Sequence, residues 1–237
     1  MAGALYLIPS ALGETAWSAY LPADTRDIAC RLSHFVAENA KTARAELKRI
    51  GHPLPLREIA IEQLPETPTA ADVERLLSPL LAGDSVGLLS EAGCPAVADP
   101  GALLVRRAHD LGIPVKPLVG PSSLLLALMA SGLDGQRFAF HGYLPAREPD
   151  RGRRIAELEH ESERLRQTQM FIETPYRNGV LLGALLAVCR PATRLCVAAD
   201  LSLPTEQVVS RAIADWRRLE RPPLDRRPTV FLLLSGR

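Results

Sequence analysis

Lysine, clustered cysteine, long apolar runs and net charge are all scarce in this sequence of 237 residues. Its 28 basic and 27 acidic side chains leave a formal charge of +1. No global field therefore marks it as a binder of nucleic acid or anionic membrane, and only a local basic face stays open. Lys41, Lys48 and Lys116 are the only lysines. An arginine bias running along the whole chain reads as genomic composition rather than as a phosphate site. Cys30, Cys94, Cys189 and Cys196 stand far apart without a CxxC pair, which excludes a disulfide framework and a zinc finger and fits reduced thiols in a cytoplasmic protein. His34, His52, His109, His141 and His160 show no ligand spacing, so no metal site is expected. The longest apolar run, Leu124 to Met129, is too short to span a bilayer. The N-terminus lacks the basic start and sustained apolar stretch of a secretory signal, leaving the cytoplasm as the expected compartment and no membrane partner.

Several signatures of chemistry are missing as well. No GxGxxG follows a strand and no GxxxxGK[ST] occurs, so neither the dinucleotide fingerprint nor the P-loop is present. HExxH, a nucleophile elbow and an EF-hand loop are also absent, which removes support for hydrolysis by a metal or a triad.

What is present is a hydrophobic content of 47% arranged as short apolar strands alternating with amphipathic stretches, the pattern of an α/β protein. Strands are expected at 5–8, 34–38, 59–64, 85–89 and 113–119, with helices at 40–50, 70–81, 103–111 and 122–130, forming a parallel, crossover-connected sheet. After a turn at Asp134-Gly135 the alternation restarts, with strands at 137–142, 169–173, 194–199 and 229–234 and helices at 150–166 and 178–188. The expected domains are therefore 1–134 and 135–237. The segment 145–166 mixes arginines with acids and reads as a solvated helix. Arg211 to Arg227 carries an arginine excess and reads either as an exposed linker or as a surface facing a polyanion.

Turns rich in Gly, Pro and Ser follow three strands: Ser10 to Gly13, Ser90 to Gly101 (SEAGCPAVADPG), and Val119 to Ser123 (VGPSS), which runs directly into a helix. In a parallel α/β sheet such loops converge on the carboxyl edge, where ligands bind. Turn geometry alone explains single glycines. The long second loop exceeds what a βα turn needs, as functional loops do.

Four ordered stretches, SEAGCPAVADPG (90–101), VGPSSLLLALMASGL (119–133), FAFHGYLP (138–145) and FIETPYR (171–177), resemble the hallmarks of the tetrapyrrole methylase superfamily. Within it they are closest to the branch that holds the small-subunit ribosomal RNA cytidine 2′-O-methyltransferase. The resemblance runs nearly the whole chain. It implies two α/β domains with S-adenosylmethionine in the cleft between them, and a homodimer. It also implies cofactor contacts at Pro9; at Glu91, Ala92, Gly93, Val97 and Ala98; at Ser122 and Ser123; and at Tyr143, Leu144, Thr174 and Pro175.

Departures accompany the matches. An AEDTR-like stretch of that branch reads AENAK here (Ala37 to Lys41), an ARELTK-like stretch reads AADLSL (Ala198 to Leu203), and TPIGN reads IPSALGE. If the lost charges touch RNA phosphate in the relatives, RNA binding is weakened here. Methyl transfer to a ribose hydroxyl needs a proton acceptor, and Glu38, Glu91 and Glu173 all follow strands. Glu38 is favoured, with a backbone-capping carboxylate as the alternative for each. Tyr176 and Arg177 are candidates to position the substrate, or else pack at a helix start. Three functions stay open: an RNA-directed methyltransferase, a methyltransferase of a tetrapyrrole-like small molecule, and a cofactor-binding protein with weak or lost catalysis.

Overall fold

The computed structural model describes residues 3–236, which form two compact units, the first ending at Ser122 and the second beginning at Ser123. In the first unit, β1 (Leu5–Ile8), β2 (His34–Ala37), β3 (Ala60–Gln63), β4 (Val86–Leu89) and β5 (Val115–Pro117) form one sheet in the order β3-β2-β4-β1-β5. Every pairing in it is parallel, as expected. The crossovers are α1 (Ala23–Ala29), α2 (Ala40–Arg49), α3 (Ala70–Ala82) and α4 (Gly101–Asp110). Helix α1 is an addition to the sequence reading. Within it only Thr25 and Ala29 are buried, so it carries almost no apolar stripe to detect.

Side-chain alternation divides the core of this unit across the sheet. Leu5, Val36, Val86 and Leu88 pack with Leu76, Leu77 and Leu80 of α3 and Leu104 of α4. Ile8, Phe35, Ala37 and Leu89 pack with Ala29 of α1 and Ala43 and Leu47 of α2. Full burial stabilises each such Leu, Ile or Phe by about 1.5–3 kcal/mol. Gly87 lies opposite Tyr6 and Phe35 in the register, and a Cβ there would sit 2.7 Å from Ile8 Cδ1 and from Phe35 Cδ1. The absent side chain is what lets Phe35 lie over β4. Helix α3 starts in a capping box between Thr69 and Asp72 and stops at Gly83, whose φ of 106° suits a residue without Cβ.

The second unit opens with α5 (Ser123–Ser131), which contacts β8, β9 and β10. The division between units falls before α5, in which Ala127 and Leu128 are buried, and so ahead of the Asp134-Gly135 turn. Strands β6 (Phe138–Tyr143), β7 (Thr168–Ile172), β8 (Arg194–Ala199), β9 (Gln207–Ala212) and β10 (Thr229–Leu234) follow the order β6-β7-β10-β8-β9. Only β6 and β7 pair in parallel; the other pairings are antiparallel. Helices α6 (Asp150–Leu165) and α7 (Asn178–Val188) supply Ile155, Leu158, Leu181, Leu182 and Leu185 to a core built with Phe171, Val197 and Phe231.

Arg211 to Arg227 is not a simple exposed linker. It completes β9, forms α8 (Ile213–Trp216) and buries Trp216 to 1% exposure, with the indole N–H donating to Leu195 O at 2.8 Å. Arg217 spends its guanidinium on the carbonyls of Leu186 and Cys189, both at 2.8 Å. Ion pairs in this segment fall at i,i+3 rather than i,i+4 spacing, joining Arg153 to Asp150 and Arg154 to Glu157 within α6 and Arg151 to Glu148 just ahead of it. All four cysteines are free thiols, and burial pushes Cys189 and Cys196 up to about 12. No helix among the described residues is long and apolar enough to cross a membrane, and no cluster of His, Cys, Asp and Glu among them is arranged to hold a metal ion.

Candidate cofactor site

The loops after β1, β4 and β5 meet at the carboxyl edge of the first sheet. Ser10 and Gly93 exchange backbone hydrogen bonds, Ser10 N donating to Gly93 O at 2.9 Å and Gly93 N to Ser10 O at 3.1 Å. Side chains brace the same point: Ser10 Oγ donates to Ser90 O and Ser90 Oγ to Gly93 O, each at 2.8 Å. The third loop joins through the Cys94 thiol, which donates to Pro121 O at 3.4 Å. Pro9 is buried against Gly120, where a Cβ would lie 2.5 Å from the proline Cβ. Thr25 Oγ1 of α1 holds Val119 O at 2.9 Å. Of the residues assigned to the cofactor in this unit, Pro9, Glu91, Ala92, Gly93, Val97 and Ala98 therefore share one loop cluster. Gly93 and Pro9 form its buried floor, whereas Glu91, Ala92, Val97 and Ala98 are exposed. Ser122 closes the unit and Ser123 begins α5 in the next.

The 90–101 loop is conformationally strained. Ala96 and Ala98 have φ of 64° and 62°, left-handed values that an L side chain tolerates poorly, while Gly93 at 74° pays no such penalty. Asp99 spans the strained stretch, its Oδ1 accepting from Ala96 N at 2.8 Å and from Gly101 N at 2.7 Å.

Three carboxylates converge here. Burial pushes the Glu38 carboxyl up, the charges of Asp99 and Glu91 push it further, and a hydrogen bond from the Glu91 backbone N–H opposes them. Burial likewise raises Asp99 against the two amides it accepts from. Such a donor set fits S-adenosylmethionine, which carries a sulfonium and an ammonium and so brings positive charge to the edge. A cavity of about 200 Å³ opens alongside, bounded by Ser10 to Glu14, by Thr42, Ala45, Glu46 and Arg49 of α2, and by Ser90 to Ala92. Asn39 of the AENAK stretch caps α2, its Oδ1 accepting from Lys41 N and Thr42 N at 2.9 and 3.3 Å. Asn in place of Asp therefore keeps the cap and loses only the charge.

Tyr143, Leu144, Thr174, Pro175, Tyr176 and Arg177 lie at the ends of β6 and β7 in the second unit, whose parallel register pairs Tyr143 with Ile172. Leu144 is buried in the core there, whereas Tyr143 and Tyr176 are 61% and 74% exposed. The Glu173 side chain is buried and accepts from Thr174 N at 2.6 Å and from Arg177 Nη2 at 2.7 Å. Glu173 is thus committed to an ion pair and a turn, unlike Glu38. Asn178 anchors the start of α7, donating from Nδ2 to Arg227 O at 2.7 Å and to Thr229 Oγ1 at 3.2 Å.

Asp99, Asn178, and the pair of Asp200 with Arg227 (2.7 Å) were missed in the sequence. An Asp-Pro-Gly is itself a turn signal, the carboxylate accepting from the backbone N–H two residues on as Asp99 does from Gly101, and it is the one that exposes Asp99. The other two depend on partners distant in sequence.

The profile of the family described as Tetrapyrrole (Corrin/Porphyrin) Methylases matches residues 21–215. The chain is 33% identical over 219 residues to Ribosomal RNA small subunit methyltransferase I of Xylella fastidiosa, covering 90% of this chain and 73% of that protein. To the protein of the same name from Escherichia coli O157:H7 it is 29% identical over 232 residues, covering 98% and 77%. Among solved structures, the methyltransferase CobJ superposes with a TM-score of 0.64 at 15% identity over 99% of this chain and 95% of that one, a likeness of fold.

Proposed function

We propose, from the premise that this chain belongs to the tetrapyrrole (corrin/porphyrin) methylase family and is an S-adenosylmethionine-dependent methyltransferase, that its acceptor is a ribose 2′-hydroxyl of small-subunit ribosomal RNA. The observation that carries this reading is the alignment with a relative named for that RNA over 98% of the chain.

In this reading Pro9, Glu91, Ala92, Gly93, Val97, Ala98 and Ser122 of the first unit receive the cofactor. When bound, the cofactor supplies an electrophilic methyl carbon on a sulfonium. Glu38 takes the hydroxyl proton onto its carboxylate as the acceptor oxygen attacks. The raised affinity of Glu38 for a proton, caused by burial and by Asp99 and Glu91, makes it a stronger base than a solvated glutamate. Loops fixed by the Ser10–Gly93 exchange keep the reacting groups in place, so that orientation carries much of the rate. Tyr176 and Arg177 position the RNA, the tyrosine as an exposed stacking face and the arginine as a cation beside it. The protein acts in the cytoplasm and as a homodimer; Met129 on apolar α5, 79% exposed, supplies apolar surface for self-association.

The test is transfer of labelled methyl from S-adenosylmethionine to small ribosomal subunits, to free RNA and to a metabolite extract. Label in a ribose of subunit RNA is expected. Label confined to a small molecule establishes the tetrapyrrole-like alternative, and cofactor binding without label in any of the three establishes lost catalysis.

A further inference from the structure

We propose that Asp99 is a positioning residue that locks the 90–101 loop in the shape that receives the cofactor; the proposal rests on the cofactor reading above. A loop that holds two alanines in the left-handed region does not keep that shape unaided. The bonds from Ala96 N and Gly101 N to the single oxygen Asp99 Oδ1, at 2.8 and 2.7 Å, close the chain on both sides of Val97 and Ala98. Both residues between the two bonds are exposed, Val97 at 49%.

The clamp has no slack. A Cβ on Gly101 would stand 2.8 Å from Asp99 Oδ1 and 2.9 Å from Leu88 Cδ2, so the glycine lets the carboxylate reach the backbone while the loop end rests on the core of the sheet. Gly101 is also the first residue of α4. A pure capping role for Asp99 would alter the stability of the helix and leave the affinity of the folded protein unchanged. A positioning role alters the affinity.

Titration of the full chain with S-adenosylhomocysteine, alongside thermal melts, separates the two. Asp99→Asn keeps an oxygen acceptor in place, whereas Asp99→Ala removes it and Asp99→Glu keeps the charge but displaces the oxygen by one methylene. Loss of two hydrogen bonds to a charged acceptor predicts binding about 10- to 100-fold weaker in Asp99→Ala and Asp99→Glu, with Asp99→Asn close to the parent. If Asp99→Ala does not fold, Asp99→Glu against Asp99→Asn decides. Parent-like affinity in Asp99→Glu, or equal weakening in Asp99→Asn and Asp99→Glu, overturns the proposal. Absence of heat from the parent chain overturns it together with the cofactor reading beneath it, and so is distinguishable from failure of the clamp alone.

Discussion

Ser10 and Gly93 are joined by a reciprocal pair of backbone hydrogen bonds, 2.9 and 3.1 Å long, that ties the loop after β1 to the loop after β4. Gly93 holds φ of 74° to make them, and a Cβ there would rest 3.5 Å from Leu12 Cδ2 and 3.7 Å from Pro121 O. Space therefore exists for a small side chain, although the backbone conformation disfavours one. Gly93→Trp should destabilise the chain by about 1–2 kcal/mol through the left-handed strain and by about 1–3 kcal/mol more through over-packing of a buried position, and abolish binding of S-adenosylhomocysteine by displacing the loops around it. Melting followed by calorimetric titration checks both, and a folded variant with parental affinity would show that this loop is not the site.

Glu38 gives the clearest pH signature. Its folded carboxyl is raised by burial, Asp99 and Glu91, so its contribution to stability is fully present below the unfolded value of about 4.3 and is lost as pH rises through the folded value. Glu38→Gln should therefore melt higher than the parent at neutral pH, with the gap closing as the solution is acidified. Its methyl-transfer rate should fall by about 10²- to 10⁴-fold, the loss expected of a missing general base. An active Glu38→Gln enzyme removes the base role, and a gap independent of pH removes the electrostatic account.

Periodicity exposed β1, β2 and β4 because each is apolar on both faces, and Gly, Pro and Ser exposed the three loops because few other residues make such turns. The second sheet was harder to read. Its β8–β9 hairpin turns through Asp200 and Ser202 at φ of 52° and 67°, without the glycine that flags a hairpin. Strand β9, QVVSRA, is half-exposed and lies next to an arginine-rich stretch, so nothing in its composition separates it from a loop. In the site, Glu38 is visible as a carboxylate after a strand, but its raised proton affinity comes from Asp99 and Glu91, which only the fold brings beside it.

Arg227 fixes that hairpin from outside the turn. Its Nε donates to Asp200 Oδ2 at 2.7 Å, with further bonds to Thr205 O at 2.5 Å and Gln207 Oε1 at 3.1 Å, and both members of the ion pair are largely buried. Arg227→Met leaves the Asp200 side chain, among the described residues, with only the Thr205 hydroxyl at 2.8 Å. Breaking one side of such a pair destabilises by about 3–5 kcal/mol. Denaturant unfolding should show a lower midpoint, and a midpoint within error of the parent would mean the hairpin holds without the pair.

Over-packing tests the sheet that carries the loops. Gly87→Ala would place a Cβ 2.7 Å from Ile8 Cδ1 and from Phe35 Cδ1, contacts that force Phe35 to move. The expected loss is about 1–3 kcal/mol, read as a lower melting temperature. An unshifted melt would show that Phe35 has room to turn aside.

Tyr176 separates acceptor from cofactor. At 74% exposure it supports no core, so Tyr176→Ala should melt as the parent does. It should also bind S-adenosylhomocysteine unchanged, because it stands outside the residues assigned to the cofactor. If it stacks on an RNA base, its loss weakens RNA binding by about 1–3 kcal/mol, roughly 5- to 150-fold. Arg177 is the less clean probe, since removing it leaves the buried Glu173 carboxylate without its ion-pair partner. The informative measurement is therefore RNA affinity of Tyr176→Ala at fixed salt with cofactor product bound. Unchanged affinity there, with methyl transfer to subunit RNA intact, would exclude the tyrosine from the RNA surface and leave the acceptor to be held elsewhere.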